Sequence, residues 1–225
     1  MSSPSQFLYI SPHMQKPLLV GITGGSGSGK SWLARHLLSH FGADQTCLLE
    51  QDWYYRDLSH LPHDEAAKTD FDDPASLELD LLETHLQQLA AGHPIEAPQY
   101  DFSSFSRKNE TLRVAPRPLI VVEGLFILHR RSLAKKLDLS VFVETASDIR
   151  LLRRIRRDLS ERGYQLERVL DFWENDQVPS FTKFVQPQRE NASLIWDSLQ
   201  DTAFVPAFLA DLQNRTTRNA DQPTS

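Results

Sequence analysis

The run Gly24-Gly25-Ser26-Gly27-Ser28-Gly29-Lys30-Ser31 constrains this chain more than any other eight residues. It follows the apolar stretch 18–22 and precedes a helical pattern with apolar residues at Leu33, Ala34, Leu37 and Leu38. Strand, glycine turn and helix in that order is the setting in which G-x-x-x-x-G-K-[ST] has a mechanism. The glycines let successive backbone N–H groups turn toward a phosphate, and the helix N-terminus adds partial positive charge. Lys30 is then expected on the β- and γ-phosphates of a nucleoside triphosphate, and the Ser31 hydroxyl on Mg²⁺. A flexible Gly/Ser linker does not place a Lys-Ser pair at the start of an amphipathic helix.

The rest of the chain fits that start. Its 225 residues, 40% of them hydrophobic, suit one globular domain with room for a small lid. Apolar runs at 18–22, 47–49, 119–122, 141–143 and 194–196 alternate with helical patterns. The pattern predicts an α/β fold of the P-loop NTPase type: about five parallel strands flanked by helices. Leu79, Leu82, Leu86 and Leu89 recur at helical spacing within 77–91, and Gly92 and Pro94 stop that helix. Residues 95–118 read as an irregular or hairpin segment over the sheet. The polar stretches 1–16 and 214–225 are expected to be disordered tails around a domain at 17–213. A net charge of −6 argues against a nucleic-acid partner. No apolar run reaches the length of a membrane span, and Phe7 to Ile10 is too short for a signal-peptide core. With Cys47 as the single cysteine, no internal disulfide forms, and a cytoplasmic location is expected.

Acidic residues close two of the strands, where ligands collect in a parallel sheet. Glu123, after four apolar residues, suits a Mg²⁺ ligand or a capping carboxylate. Asp52 suits a general base taking a proton from an attacking hydroxyl, or an N-cap ahead of Trp53-Tyr54-Tyr55. After the fourth strand, Arg150, Arg153, Arg154 and Arg157 fall on one helical stripe opposite Ile149, Leu152, Ile155 and Leu159. That stripe is either a solvated basic face or an arginine lid that clamps phosphates. Asp158, Glu161 and Arg162-Gly163 read as the turn and end of such a lid.

Taken together, GITGGSGSGKS, LEQDWYYRDLSHL, KTDFDDPASLELDLL, YDFSSFSRKNET, LIVVEGLFIL, IRLLRRIRRDLSERG and FTKFVQPQRENASLI resemble the uridine kinase family. These segments lie in family order within the wider phosphoribulokinase/uridine kinase group. The resemblance implies transfer of the γ-phosphate of ATP or GTP, with Mg²⁺, to the 5′-hydroxyl of uridine or cytidine. It implies a hairpin over the acceptor site, an Arg-bearing lid and a homo-oligomer, dimer or tetramer. By that likeness Asp52 is the base, with Lys30, Arg154 and Arg157 as its catalytic companions. Ser31, Glu123 and Asp52 surround the metal, and residues 24–31 (Gly24, Gly25, Ser26, Gly27, Ser28, Gly29, Lys30, Ser31) with Arg153 hold the nucleotide. Asp72 takes the ribose hydroxyls, and Tyr100, Phe105, Arg107, Arg150 and Arg162 complete the acceptor site. Two positions depart from the pattern. Phe105 stands where the family commonly has a base-reading His, and Arg168 where it has a Gln. Phe105 therefore packs on the base, lines a pocket for a different hydroxyl compound, or fills hydrophobic space. Other ribose- or sugar-like acceptors stay open, and an NTP-hydrolysing switch and a binding protein without catalysis stand behind them. The chain has no N-K-x-D guanine-reading motif and no LSGGQ signature.

Overall fold

The computed structural model describes residues 16–221. The chain starts with strand β1 (Leu18–Gly24), helix α1 (Lys30–Phe41) and β2 (Thr46–Glu50). A short helix α2 (His63–Ala66) and the longer α3 (Leu79–Ala90) follow. Then come four short strands: β3 (Ile95–Ala97), β4 (Tyr100–Asp101), β5 (Ser106–Arg107) and β6 (Leu112–Val114). The chain returns to the sheet as β7 (Leu119–Gly124), makes the turn-length α4 (Arg131–Ala134) and continues as β8 (Leu139–Glu144). Helix α5 (Ser147–Glu161) leads to α6 (Leu166–Phe172), α7 (Val178–Ser180), β9 (Leu194–Asp197) and α8 (Phe204–Asp221).

The five strands expected from the apolar runs form one parallel sheet in the order β2-β7-β1-β8-β9. Their runs are apolar throughout because both faces are covered. Alternate side chains serve opposite faces. Val20, Ile22, Val121 and Val141 pack on Leu33 and Leu37 of α1 and on Phe208 and Leu212 of α8. Leu19, Ile120, Val122 and Phe142 pack on Leu82, Leu86 and Leu89 of α3. The segment 95–118 is a nested pair of hairpins, β3 with β6 and β4 with β5, and so takes the hairpin form of that expectation.

The tail expected over 1–16 lies outside the described residues except for Lys16, whose Nζ meets Asp138 Oδ1 at 3.2 Å. At the other end the expectation for 214–225 is corrected over 214–221, and 222–225 lie outside the described residues. Residues 214–221 are helical, as the continuation of α8. Phe208 and Leu212 anchor that helix on the sheet, and Arg215 pairs with Asp211 one turn back at 2.8 Å. A helix nucleated by buried residues extends into polar sequence at little cost.

Candidate active site

β1 delivers the glycine run to the carboxyl edge of the sheet, and α1 begins at Lys30 with no side-chain cap. Its first N–H groups are left for a ligand. Gly27 is required by two observations. Its φ is +77°, and a Cβ there would sit 2.4 Å from the carbonyl oxygen of Arg150. The lid helix α5 is thus laid directly against the loop. Arg153 Nη1 reinforces that contact, donating to the Gly27 and Ser28 carbonyls, each at 3.1 Å. Thr145 Oγ1 also donates to Ser28 O at 2.8 Å.

Beside the loop, a cleft of about 520 Å³ brings together Ser31, Asp52 and Glu123 from the sheet edge. Tyr100 and Phe102 of the hairpin and Arg157 and Arg162 of the lid complete it. Asp52 lies within a 3-10 turn capped by Glu50, so the N-cap alternative for Asp52 is not realised. Glu123 closes β7, buried, with its Oε2 lacking a hydrogen-bond partner among the described residues. Burial pushes its carboxyl up to about 7, opposed by Lys30 and augmented by Asp52. An orphaned buried carboxylate oxygen next to a hydroxyl and a second carboxylate suits a hard divalent cation. The residues present fit Mg²⁺.

Helix α5 overturns the simplest reading of its amphipathic pattern. Leu152 and Leu159 are 44% and 42% exposed, whereas Arg150, Arg154 and Asp158 are 5%, 7% and 1% exposed. The polar stripe faces inward. Periodicity identifies two faces but not which is buried, and here the inner side meets carboxylates and loop carbonyls rather than a core. Arg154 donates from Nη1 to Asp72 Oδ2 at 3.1 Å and from Nε to Asp158 Oδ2 at 3.2 Å. Arg157 Nε donates to Asp158 Oδ1 at 2.8 Å, and Arg162 Nε lies 3.6 Å from the same oxygen. Asp72 is therefore buried and ion-paired instead of lining the cleft, and burial raises its pKa against the pull of Arg154.

Three further expected acceptor residues lie away from the cleft. Arg150 stacks its guanidinium 4.0 Å over the Phe181 ring and lines a separate cavity of about 290 Å³ with Glu144 and Arg189. Phe105 is buried at φ +53°, stacked on Phe71 at 5.8 Å and beside His63 at 5.1 Å. In this structure Phe105 packs among aromatic rings and does not line the cleft. Arg107 is spent on the fold: it donates to the Tyr55 and Tyr54 carbonyls and to Glu78 Oε2. Arg168 stacks on Tyr164 at 4.3 Å and donates to Ala67 O. The arginines share one cause: long side chains near a sheet edge find partners on elements remote in sequence.

Trp32, Trp196 and Ser198 were not anticipated. Together with Ser28 and Arg153 they line a cavity of about 420 Å³ beside the loop. Trp32 is 54% exposed and stacks on His36 at 5.0 Å, with Trp196 at 6.0 Å. A large exposed aromatic directly after Lys30-Ser31 is the signal that sequence reading passed over.

Compared with known proteins, residues 19–204 match the model of the Phosphoribulokinase / Uridine kinase family. A uridine kinase of Anoxybacillus flavithermus is 40% identical over 181 residues, which are 80% of this chain and 86% of that protein. A uridine kinase of Clostridium perfringens is 40% identical over 182 residues, 81% of this chain and 88% of that one. Among solved structures, phosphoribulokinase from Rhodobacter spheroides superposes with a TM-score of 0.60 at 18% identity. That match covers 79% of this chain and 68% of the other, and it supports the fold.

Proposed function

The chain belongs to the phosphoribulokinase/uridine kinase family of small-molecule kinases, and from that premise we propose that it phosphorylates the 5′-hydroxyl of uridine or cytidine with ATP and Mg²⁺. The observation that carries this reading is the single cleft shared by Ser31, Asp52 and Glu123 with hairpin aromatics and lid arginines. Donor chemistry, acceptor surface and charge neutralisation meet there.

The roles follow from chemistry. The loop's N–H groups and Lys30 bind the β- and γ-phosphates, while the base of the donor stacks in the Trp32–Trp196 cavity. Ser31, Glu123 and Asp52 would hold Mg²⁺, which supplies charge neutralisation on the phosphate oxygens. Asp52 accepts the proton of the acceptor hydroxyl as its oxygen bonds to Pγ and the β–γ bridging bond breaks, releasing ADP. Arg157 and Arg162 meet the charge on the transferring group. Tyr100 stands beside an acceptor base, while the Phe102 ring holds the Arg162 guanidinium 4.0 Å above it.

The burial of Phe105 favours keeping a second reading, a kinase for another ribose- or sugar-like hydroxyl compound, since no imidazole at that position reads a pyrimidine. One experiment separates the two. ADP formation is followed with Mg²⁺-ATP against uridine, cytidine, purine nucleosides, ribose and ribulose 5-phosphate. Stimulation by uridine or cytidine supports the first reading; stimulation only by another compound establishes the second.

A further inference from the structure

Three guanidinium groups converge on one carboxylate that never touches the cleft. Asp158 is 1% exposed and is not among the cleft's lining residues, yet Arg154, Arg157 and Arg162 all approach it. Each does so through Nε. Arg157 and Arg162 thereby keep their terminal nitrogens for the cleft that both line, while Arg154 spends one of its own on Asp72. A guanidinium held at Nε loses rotational freedom without losing its two-pronged face, the face that matches phosphate oxygens. Asp158 also ends the lid, because Tyr164 N donates to its carbonyl at 3.0 Å just past the left-handed Gly163.

Arg154, Arg157 and Arg162 share Asp158 and Asp72, and Asp52 across the cleft is the further carboxylate that acts on Arg157 and Arg162. A single buried acid that fixes several arginines by the same atom is an arrangement for aiming them, since burial of isolated cations is costly.

We propose that Asp158 is a positioning residue for phosphoryl transfer: it aims Arg157 and Arg162 at the transferring phosphoryl group and, through Arg154, ties that aim to Asp72 on the acceptor side. This rests on the reading that Arg157 and Arg162 meet the phosphoryl group.

The test is a double-mutant cycle on the full chain with Asp158→Asn, Arg157→Gln and the pair, run at saturating ATP with the best acceptor of the panel. Asp158→Asn is expected to lower kcat roughly 30- to 100-fold while ATP Kd moves by less than about threefold. If Asp158 acts through Arg157, the pair is no more than about threefold worse than the worse single variant. Losses that multiply, or an unchanged kcat in Asp158→Asn, overturn the proposal. Asp158→Glu covers the case in which the Asn variant does not fold. It keeps the charge but moves the carboxylate by one methylene, and is expected to lose about tenfold in kcat at near-normal ATP Kd. Wild-type turnover in that variant overturns the proposal as well. Since every ratio is taken against wild type with its own best acceptor, an incorrect pyrimidine assignment shows first in the panel and leaves the cycle intact.

Discussion

The donor side of the cleft and its acceptor side are built in different ways. On the donor side the working groups are neighbours in sequence, Gly24 to Ser31, and several are backbone N–H groups that need only the right turn. On the side proposed for the acceptor, Asp52, Asp72, Tyr100 and the lid pair Arg157 and Arg162 come from four segments, and Asp72 is engaged with Arg154 rather than open to a ligand. The first kind of site is specified by local conformation. The second depends on which of several charged partners each side chain finds when the lid and hairpin fold over the sheet.

The largest expected effect probes where the two sides meet. Asp52→Asn should retain ATP binding but lose about two to four orders of magnitude in acceptor-stimulated ADP formation, as removal of a general base does. Near-normal turnover would remove Asp52 from that role and leave the acceptor side without a base.

Phe105→His asks whether the acceptor side can be re-specified at one position. The ring is packed against Phe71 and His63, so an imidazole there lacks a partner and should cost about 1–3 kcal/mol in denaturant unfolding. Relative kcat/KM for uridine over ribose should change by less than about threefold, because a residue outside the cleft does not discriminate. A strong gain for uridine would mean that the hairpin opens and presents this position to the acceptor.

The pH dependence of metal stabilisation sharpens the donor side. Burial lifts Glu123 from its ordinary 4.5 to about 7, so the metal-free folded protein holds a proton that the unfolded chain releases. This group therefore favours the folded state fully below pH 4.5, and that contribution is lost as pH rises through about 7. Mg²⁺ must expel the same proton. Below pH 7 its apparent affinity at saturating ATP should fall by up to about tenfold per pH unit, flattening above 7. Thermal shifts by Mg²⁺ that are equal at pH 6 and pH 8 would separate Glu123 from the metal.

The smallest effect tests the orientation of α5. Leu152→Ser and Leu159→Ser are each expected to change unfolding free energy by no more than about 1 kcal/mol, because both residues are exposed rather than part of the core. A cost of about 2–5 kcal/mol, typical of a core leucine, would mean the apolar stripe packs inward after all.

Several features were legible from the residues alone. Short apolar runs alternating with helical patterns suit strands covered on both faces, and 18–22, 47–49, 119–122, 141–143 and 194–196 all lie in the parallel sheet. The phosphate loop was readable from spacing within a short segment, and the family from the resemblance of several segments in order. Trp32 was missed because one exposed aromatic carries no periodic signal.

What only the tertiary structure decided is which partners the charged side chains keep. Sequence gives Arg150, Arg153, Arg154 and Arg157 a common stripe, but it does not say that this stripe is the inner one. Nor does it say that Arg107 is consumed by the Tyr54 and Tyr55 carbonyls, that Phe105 turns into the hairpin's interior, or that Asp158 collects three arginines. Hydrophobic patterning and glycine geometry act over a few residues and so are written locally. An ion pair is settled only when remote segments arrive together in a place dry enough for the pairing to matter.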